Sequence, residues 1–333
     1  MPSERTVVTE LATALGMLGE PDVEAALHSL PNSVLRIGDT ERDTLLELWS
    51  RASLRLDFES GFANGRAFFT AADGLRGRAP RLIEWTGGRK PPGDHVVPAD
   101  LRIDHVYLVS CKYLSSILHN LSPARLVDAL LMPGPIDDDQ DWYVRTAPDR
   151  YQALYRATAR HSGRDDLPDS PAQMSAPDRK QFAKSIAGTW HPEAEAEYRA
   201  LCVAVSETTA TRWRARIKAA RAEERVLWRL LRMGPASYFI LGSDQAGSMR
   251  LRIDTPWDWR RQYRLREFVV LAEPAGQPRV AWAAACTRLA DGTDQIVRGH
   301  VELRWSHGRF AQPPEAKVYL DTPHHLVPGY HPL

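Results

Sequence analysis

Apolar residues set the first pattern. Val8, Leu11, Leu15 and Leu18 recur at helical spacing, as do Leu45, Leu46, Trp49 and Leu54, so residues 5–77 read as helices. A further helix over 57–72 carries Phe58, Phe62 and Phe69, with Asn64-Gly65 inside it. The period then changes. Residues 81–85 read as a short strand, Gly87 to Gly93 as a Gly/Pro-rich connection, and 97–104 and 106–113 as two strands. Residues 114–132 return to helical spacing through Leu114, Ile117, Leu118, Leu121, Leu126 and Leu130, with Ser122-Pro123 interrupting or restarting the helix. An acidic loop begins at Asp137-Asp138-Asp139, 142–144 reads as a short strand, and 148–160 as a helix. Residues 161–178, rich in Asp, Ser, Pro and Gly, read as a linker. Helices follow over 178–188, 191–206 and 207–233. From Ser237 the pattern is β, with strands at 238–241, 249–253, 265–271, 280–286, 296–305 and 317–320. The expected organisation is an N-terminal helical part plus α/β core over 1–146, a helical region over 147–235 and a β-rich region over 236–333.

Composition bounds this picture. A length of 333 residues fits two or three domains, and 43% hydrophobic with 26% charged residues is a globular balance that excludes wholesale disorder. No apolar run approaches the ~20 residues of a membrane span. The opening residues lack the basic-then-apolar order of a signal peptide. Cys111, Cys202 and Cys286 are odd in number and scattered, which argues against a disulfide framework or a Cys-rich zinc site and for the reducing cytoplasm.

The net charge of +1 is unevenly spread: residues 1–60 carry eleven acids against five bases, and 207–233 eight bases against three acids. Such segregation suits steering of a polyanion, and equally a solvated helix. Only six of the 43 bases are lysine.

Chemistry concentrates in Val97 to Tyr113. Side chains alternate along a strand, so Asp100, Arg102 and Asp104 share one face and Leu101 and Ile103 the other. A hairpin with the loop Asp104-His105-Val106 pairs Ile103 with Tyr107 and Leu101 with Val109, matching apolar to apolar. Asp100 then stands across from Ser110, with Lys112 on the diagonal of the same face and the Cys111 side chain turned away.

This arrangement resembles the PD-(D/E)xK nuclease superfamily over roughly residues 57–132, as a helix, a three-strand antiparallel meander and a helix. Asp100 matches the family aspartate, with Pro98-Ala99 before it, and Ser110-Cys111-Lys112 matches the (D/E)xK triplet with serine in the acidic position. Glu59 matches the acid many members carry on the preceding helix, and Asp57 and Glu84 compete for that role. The resemblance implies a restriction-endonuclease-like α/β fold and a metal-dependent nuclease, with double-stranded DNA as substrate and a place in restriction or anti-phage defence. It further implies Mg²⁺, or Mn²⁺ in its place, held by Asp100, Glu59 and the Cys111 main-chain carbonyl. Lys112 would orient or deprotonate the attacking water. The fourth core strand is either 142–144 or 238–241.

Four other readings stand beside this one: an ordinary exposed acid–lysine pair at a sheet edge, a DNA-binding module with a degraded site, a nuclease acting on RNA or single strands, and an interaction protein within a multi-subunit complex. Double-strand cleavage would favour a homodimer or a partner protein.

Further candidates are assigned from residue type. Ser115, His119 and Asn120 follow the triplet, Ser115 and His119 as an i,i+4 pair on the expected helix, where a cap or ordinary surface is the competing role. Arg89 and Lys90 lie on a loop able to grip phosphates, and Tyr113 could follow the backbone. Arg212 and Arg216 stand on the basic helix, and Arg260, Arg304 and Arg309 lie among tryptophans in the β region. All suit nucleic-acid contact; the β-region clusters equally suit cross-strand packing with solvated guanidiniums, and the tryptophans of the basic helix more often pack it on its own domain.

Overall fold

The computed structural model describes residues 3–30, 34–87, 99–131, 140–164, 166–186, 188–244 and 247–333. In chain order the first elements are α1 (Glu4–Gly16), α2 (Val23–Ser29), β1 (Leu35–Arg36), α3 (Asp39–Ser50), α4 (Arg55–Thr70), β2 (Ile83–Trp85), β3 (Leu101–Ile103), β4 (Tyr107–Lys112) and β5 (His119–Leu121). Then come α5 (Ala129–Leu131), α6 (Trp142–Thr146), α7 (Pro148–Ser162), α8 (Ala176–Ser185), α9 (Pro192–Ala220) and α10 (Glu223–Leu230). The remainder is β6 (Tyr238–Asp244), β7 (Gly247–Ile253), α11 (Pro256–Gln262), β8 (Tyr263–Ala272), β9 (Arg279–Arg288), β10 (Asp294–Arg304), β11 (Glu315–Leu320) and β12 (Tyr330–Pro332). The chain is mixed α/β with two sheets. Among the described residues no helix is long and apolar enough to cross a membrane.

Two compact units share these elements, and both are discontinuous in sequence, whereas the three segments expected above are contiguous. The first combines Met1–Ser116, Arg232–Tyr263 and Pro323–Leu333. Its seven-stranded sheet runs β1-β2-β3-β4-β6-β7-β12. The strands β2, β3 and β4 form an antiparallel meander, and β6 then lies parallel to β4. Of the two expected candidates for the fourth strand, 238–241 therefore takes the place.

One face of this sheet, through Ile83, Leu101, Ile103, Val109, Phe239 and Leu241, packs with α1–α4 in a single apolar core. Phe68, Tyr107 and Phe239 meet edge-to-face within it, at centroid distances of 4.8–5.7 Å. The helices α1 and α4 cross closely because glycine lines the contact. A Cβ on Gly65 would lie 1.9 Å from the Thr13 carbonyl oxygen, which explains the Asn64-Gly65 step inside α4.

The second unit combines Ile117–Leu231 and Arg264–Thr322, around the sheet β5-β11-β10-β9-β8 and the 29-residue helix α9. Three sequence expectations are corrected here. Residues 114–132 do not form one helix: Leu114 takes φ +46°, and 119–121 pair with β11 as a strand, with Val318 opposite His119. Apolar spacing alone fits either element when so few residues are involved.

Residues 142–144 are helical because Asp141 caps the turn, its carboxylate accepting from the Tyr143 amide at 2.9 Å. Finally, 191–206 and 207–233 divide elsewhere. The helix α9 runs unbroken through residue 206 and ends where Arg221 turns left-handed at φ +47°.

Candidate functional site

The expected hairpin register is present: Leu101 pairs with Val109 and Ile103 with Tyr107. Asp100 begins the strand pair, its amide donating to the Val109 carbonyl at 2.8 Å. Its carboxylate oxygen Oδ2 accepts from the Ser110 hydroxyl at 3.2 Å and from the Cys111 amide at 2.7 Å. The second of these is a short charge-assisted bond that fixes the carboxylate against β4. Asp100 Oδ1 has no hydrogen-bond partner among the described residues.

Ser110 is buried and central. It donates to Asp100 and accepts from Arg232 Nη1 at 3.2 Å. Arg232 is itself buried, holds a left-handed φ of +58° directly after Leu231, and lies 5.1 Å over the Tyr238 ring. Burial raises the Tyr238 phenol to about 12, with Arg232 and a hydrogen bond to Ser110 opposing and Asp100 adding to the rise.

The Cys111 thiol lies on the opposite side, against the helical core, as alternation requires. Burial pushes it well above its ordinary value, and the charges of Asp100 and Glu10 add to that. A hydrogen bond to Thr13 and the charge of Lys112 act against it. The thiol is therefore a poor nucleophile at neutral pH.

Lys112 is half-buried one residue further along β4, level with Gly242 on the parallel strand. Gly242 takes φ +155°, and a Cβ there would stand 2.0 Å from the Lys112 carbonyl oxygen, so only glycine lets β6 pass this close.

Three participants escaped sequence reading. Arg232 was counted only as one base of a charged helix, Tyr238 as a strand start, and Glu10 as one of many N-terminal acids. Glu10 carried a signal: it lies within the apolar and small run Leu11 to Leu15 extends from, and the structure buries it with its Oε2 accepting from Trp85 Nε1 at 2.6 Å.

Glu59 does not face this group through any described contact and is exposed on α4, whose buried side presents Phe58 and Phe62. Asp57 pairs with Arg5 at 3.5 Å and Glu84 with His105 at 3.5 Å. Among the described residues, no three His, Cys, Asp or Glu side chains converge to hold a metal ion. A resident metal cage is thus not what these residues form. Mg²⁺ can also be held by one or two carboxylates that share it with waters and substrate phosphates, and Asp100 Oδ1 is the oxygen that could take such a part.

The remaining candidates disperse. Arg89 and Lys90 lie outside the described residues. Tyr113 lies 5.8 Å beneath the Arg5 guanidinium. Arg212 and Arg216 are half-buried and paired with the buried Asp128, at 3.0 and 2.6 Å. Asp128 reaches them from a π-helical turn, Ala124–Asp128. Arg304 bonds Glu302 at 2.7 Å and the Tyr319 hydroxyl at 3.2 Å, and Arg309 lies 3.9 Å over Trp190. Arg260 is exposed on α11, beside Trp257, over which Arg261 lies at 4.6 Å. His119 is buried with Nε2 on the Arg229 carbonyl at 2.7 Å, and its i,i+4 relation to Ser115 disappears with the helix. Asn120 is exposed on β5.

No known protein family, no curated protein and no solved structure matches the chain.

Proposed function

We propose that the chain is a nuclease, hydrolysing phosphodiester bonds at the end of the β3–β4 ribbon. The observation that carries the reading is the Asp100 carboxylate docked on Ser110 and the Cys111 amide, with Lys112 next on the strand. The strand pattern supports it, since an antiparallel meander followed by a strand parallel to its third member is the core order of restriction-endonuclease-like folds.

In this reading Asp100 Oδ1 would hold a hard cation beside the substrate phosphate. A bound Mg²⁺ would neutralise the phosphate and acidify a water. Lys112 orients that water and offsets charge on the phosphate; arginine, with its fixed fork and high pKa, would serve poorly. Arg232, through Ser110, positions Asp100. Double-stranded DNA is the proposed substrate, and restriction or antiviral defence the proposed setting, both on the family resemblance.

The test is incubation of plasmid and linear DNA with Mg²⁺ or Mn²⁺, using the wild type, Asp100→Asn and Lys112→Ala. Metal-dependent cutting by the wild type, lost at least 100-fold in each variant, is expected. Cutting unchanged in both variants would remove the assignment.

One observation favours a second reading, a nucleic-acid-binding module without catalysis: the Arg232 guanidinium already supplies a cation beside Ser110, where the family pattern has an acid. Wild-type DNA binding with no cutting under either metal would select it.

A further inference from the structure

At the other end of the same ribbon, the turn Asp104-His105-Val106 meets the loop that follows α4. Between them lies a cleft of about 370 Å³, within the range of small-ligand sites. Leu75, Ala79, Val106 and Tyr107 form its apolar wall. Val106 is 55% exposed at the turn, although Ile103 across it is buried. Tyr107 is anchored by its hydroxyl on the Gly74 carbonyl and by edge contacts to Phe68 and Phe239, so the ring is fixed in place.

Two arginines, Arg78 and Arg81, line the cleft from the loop. Both are exposed, and among the described residues neither side chain has a hydrogen bond or ion pair. That sets them apart from Arg51, Arg212, Arg216, Arg252 and Arg279, each of which is paired.

Asp104 also lines the cleft. Its Oδ1 accepts the Arg81 and Leu82 amides, each at 2.8 Å, which fixes the carboxylate and leaves Oδ2 without a partner among the described residues. Free guanidiniums, a rigid flat wall and a fixed acceptor thus converge on one cavity. The matching ligand has an anionic group, a flat apolar face and an N–H donor edge.

We infer that this cleft is a nucleotide subsite, taking a phosphate on Arg78 and Arg81 and a base against Val106 and Tyr107. Asp104 Oδ2 accepts from the exocyclic amino group of that base, the pairing by which a carboxylate reads cytosine. The inference deepens the nuclease reading and rests on it for the polymer: Asp104 lies four residues from Asp100 along the strand, about 13 Å at 3.3 Å per residue. One strand of the DNA, with this base turned out of the duplex, would reach both ends when laid along the ribbon.

The experiment is fluorescence anisotropy with labelled twelve-nucleotide oligo-dC and oligo-dT across a salt series, without divalent metal, on the wild type and an Arg78→Ala/Arg81→Ala variant, with CMP as competitor. The wild type should bind oligo-dC several-fold tighter than oligo-dT. The double variant, its circular dichroism unchanged, should lose that preference. Its slope of log affinity against log salt should fall by about 0.7, the value for one phosphate contact on a single strand. Competition by CMP would show that a free nucleotide suffices, and its failure that the polymer is needed; both keep the subsite.

An unchanged preference and slope in the double variant would overturn the subsite, as would no oligonucleotide binding by the wild type. Those results leave the cleavage assay at Asp100 and Lys112 as a separate judgement. Conversely, a cytosine preference lost in the double variant of a chain that never cuts DNA would retire the nuclease reading and keep the subsite.

Discussion

In the proposed nuclease reading Ser110 stands where the family pattern has an acid, and its surroundings show why serine suits this chain. Its hydroxyl joins an anion, Asp100, to a buried cation, Arg232, and a second carboxylate there would crowd Asp100 instead. The alternation of Val109, Ser110, Cys111 and Lys112 was legible because one apolar face fixes a strand's register. Arg232 was not, because its burial depends on a left-handed turn after α10 that no local periodicity announces.

Asp141 gives a residue-scale prediction of its own. Burial holds its carboxyl above the ordinary 3.8, against the opposing pulls of Arg179, the Tyr143 amide and Tyr151. A folded-state value above the unfolded one means the folded chain binds the proton more tightly. That contribution is complete below the unfolded value and is lost as pH rises through the folded one. Urea unfolding at steps between about pH 4 and pH 7 should therefore show wild-type stability falling relative to Asp141→Asn as pH rises. A flat or rising difference would refute the assignment.

Among the elements, β4 and β6 show how closely the backbone constrains the site. A parallel neighbour needs a long connection, here residues 113–237, and the intervening chain builds most of the second unit. The strand periods at 238–241 and 249–253 were readable in sequence, but the choice of 238–241 over 142–144 as the strand beside β4 was not, because nothing local joins residues so far apart. Gly242 is the checkable consequence. Gly242→Ala should cost roughly 1–3 kcal/mol in chemical denaturation, since the added methyl meets backbone that can yield only by parting the strands. If the protein cuts DNA, the same substitution should reduce cutting by displacing Lys112. Stability within 0.5 kcal/mol, roughly the scatter of neutral surface changes, would contradict this.

Over the whole molecule, part of the segregated charge of the sequence is neutralised by contacts within one unit or the other, as at Arg51 with Glu4 and Glu47 and at Arg212 and Arg216 with Asp128. The basic helix looked like a polyanion face, yet Arg212 and Arg216 neutralise a buried aspartate. Their spacing of four residues fits both roles, which is why sequence could not separate them. Arg212→Ala with Arg216→Ala should cost about 3–5 kcal/mol by leaving Asp128 buried and unpaired. The salt slope of DNA binding should stay as in the wild type; a slope reduced by about two phosphate contacts would return the helix to the interface.

The first unit also has a consequence for biosynthesis. Its sheet closes with β12, whose residues 330–332 pair with β7, so the strand that completes it is made only after residues 254–329. A ribosome adding about 5–20 residues per second would have to add all of these, and carry β12 out of the exit tunnel, before this sheet could be completed. Until then the outer edge of β7 stays bare, so nascent-chain chaperones would meet an unfinished sheet rather than a sealed domain.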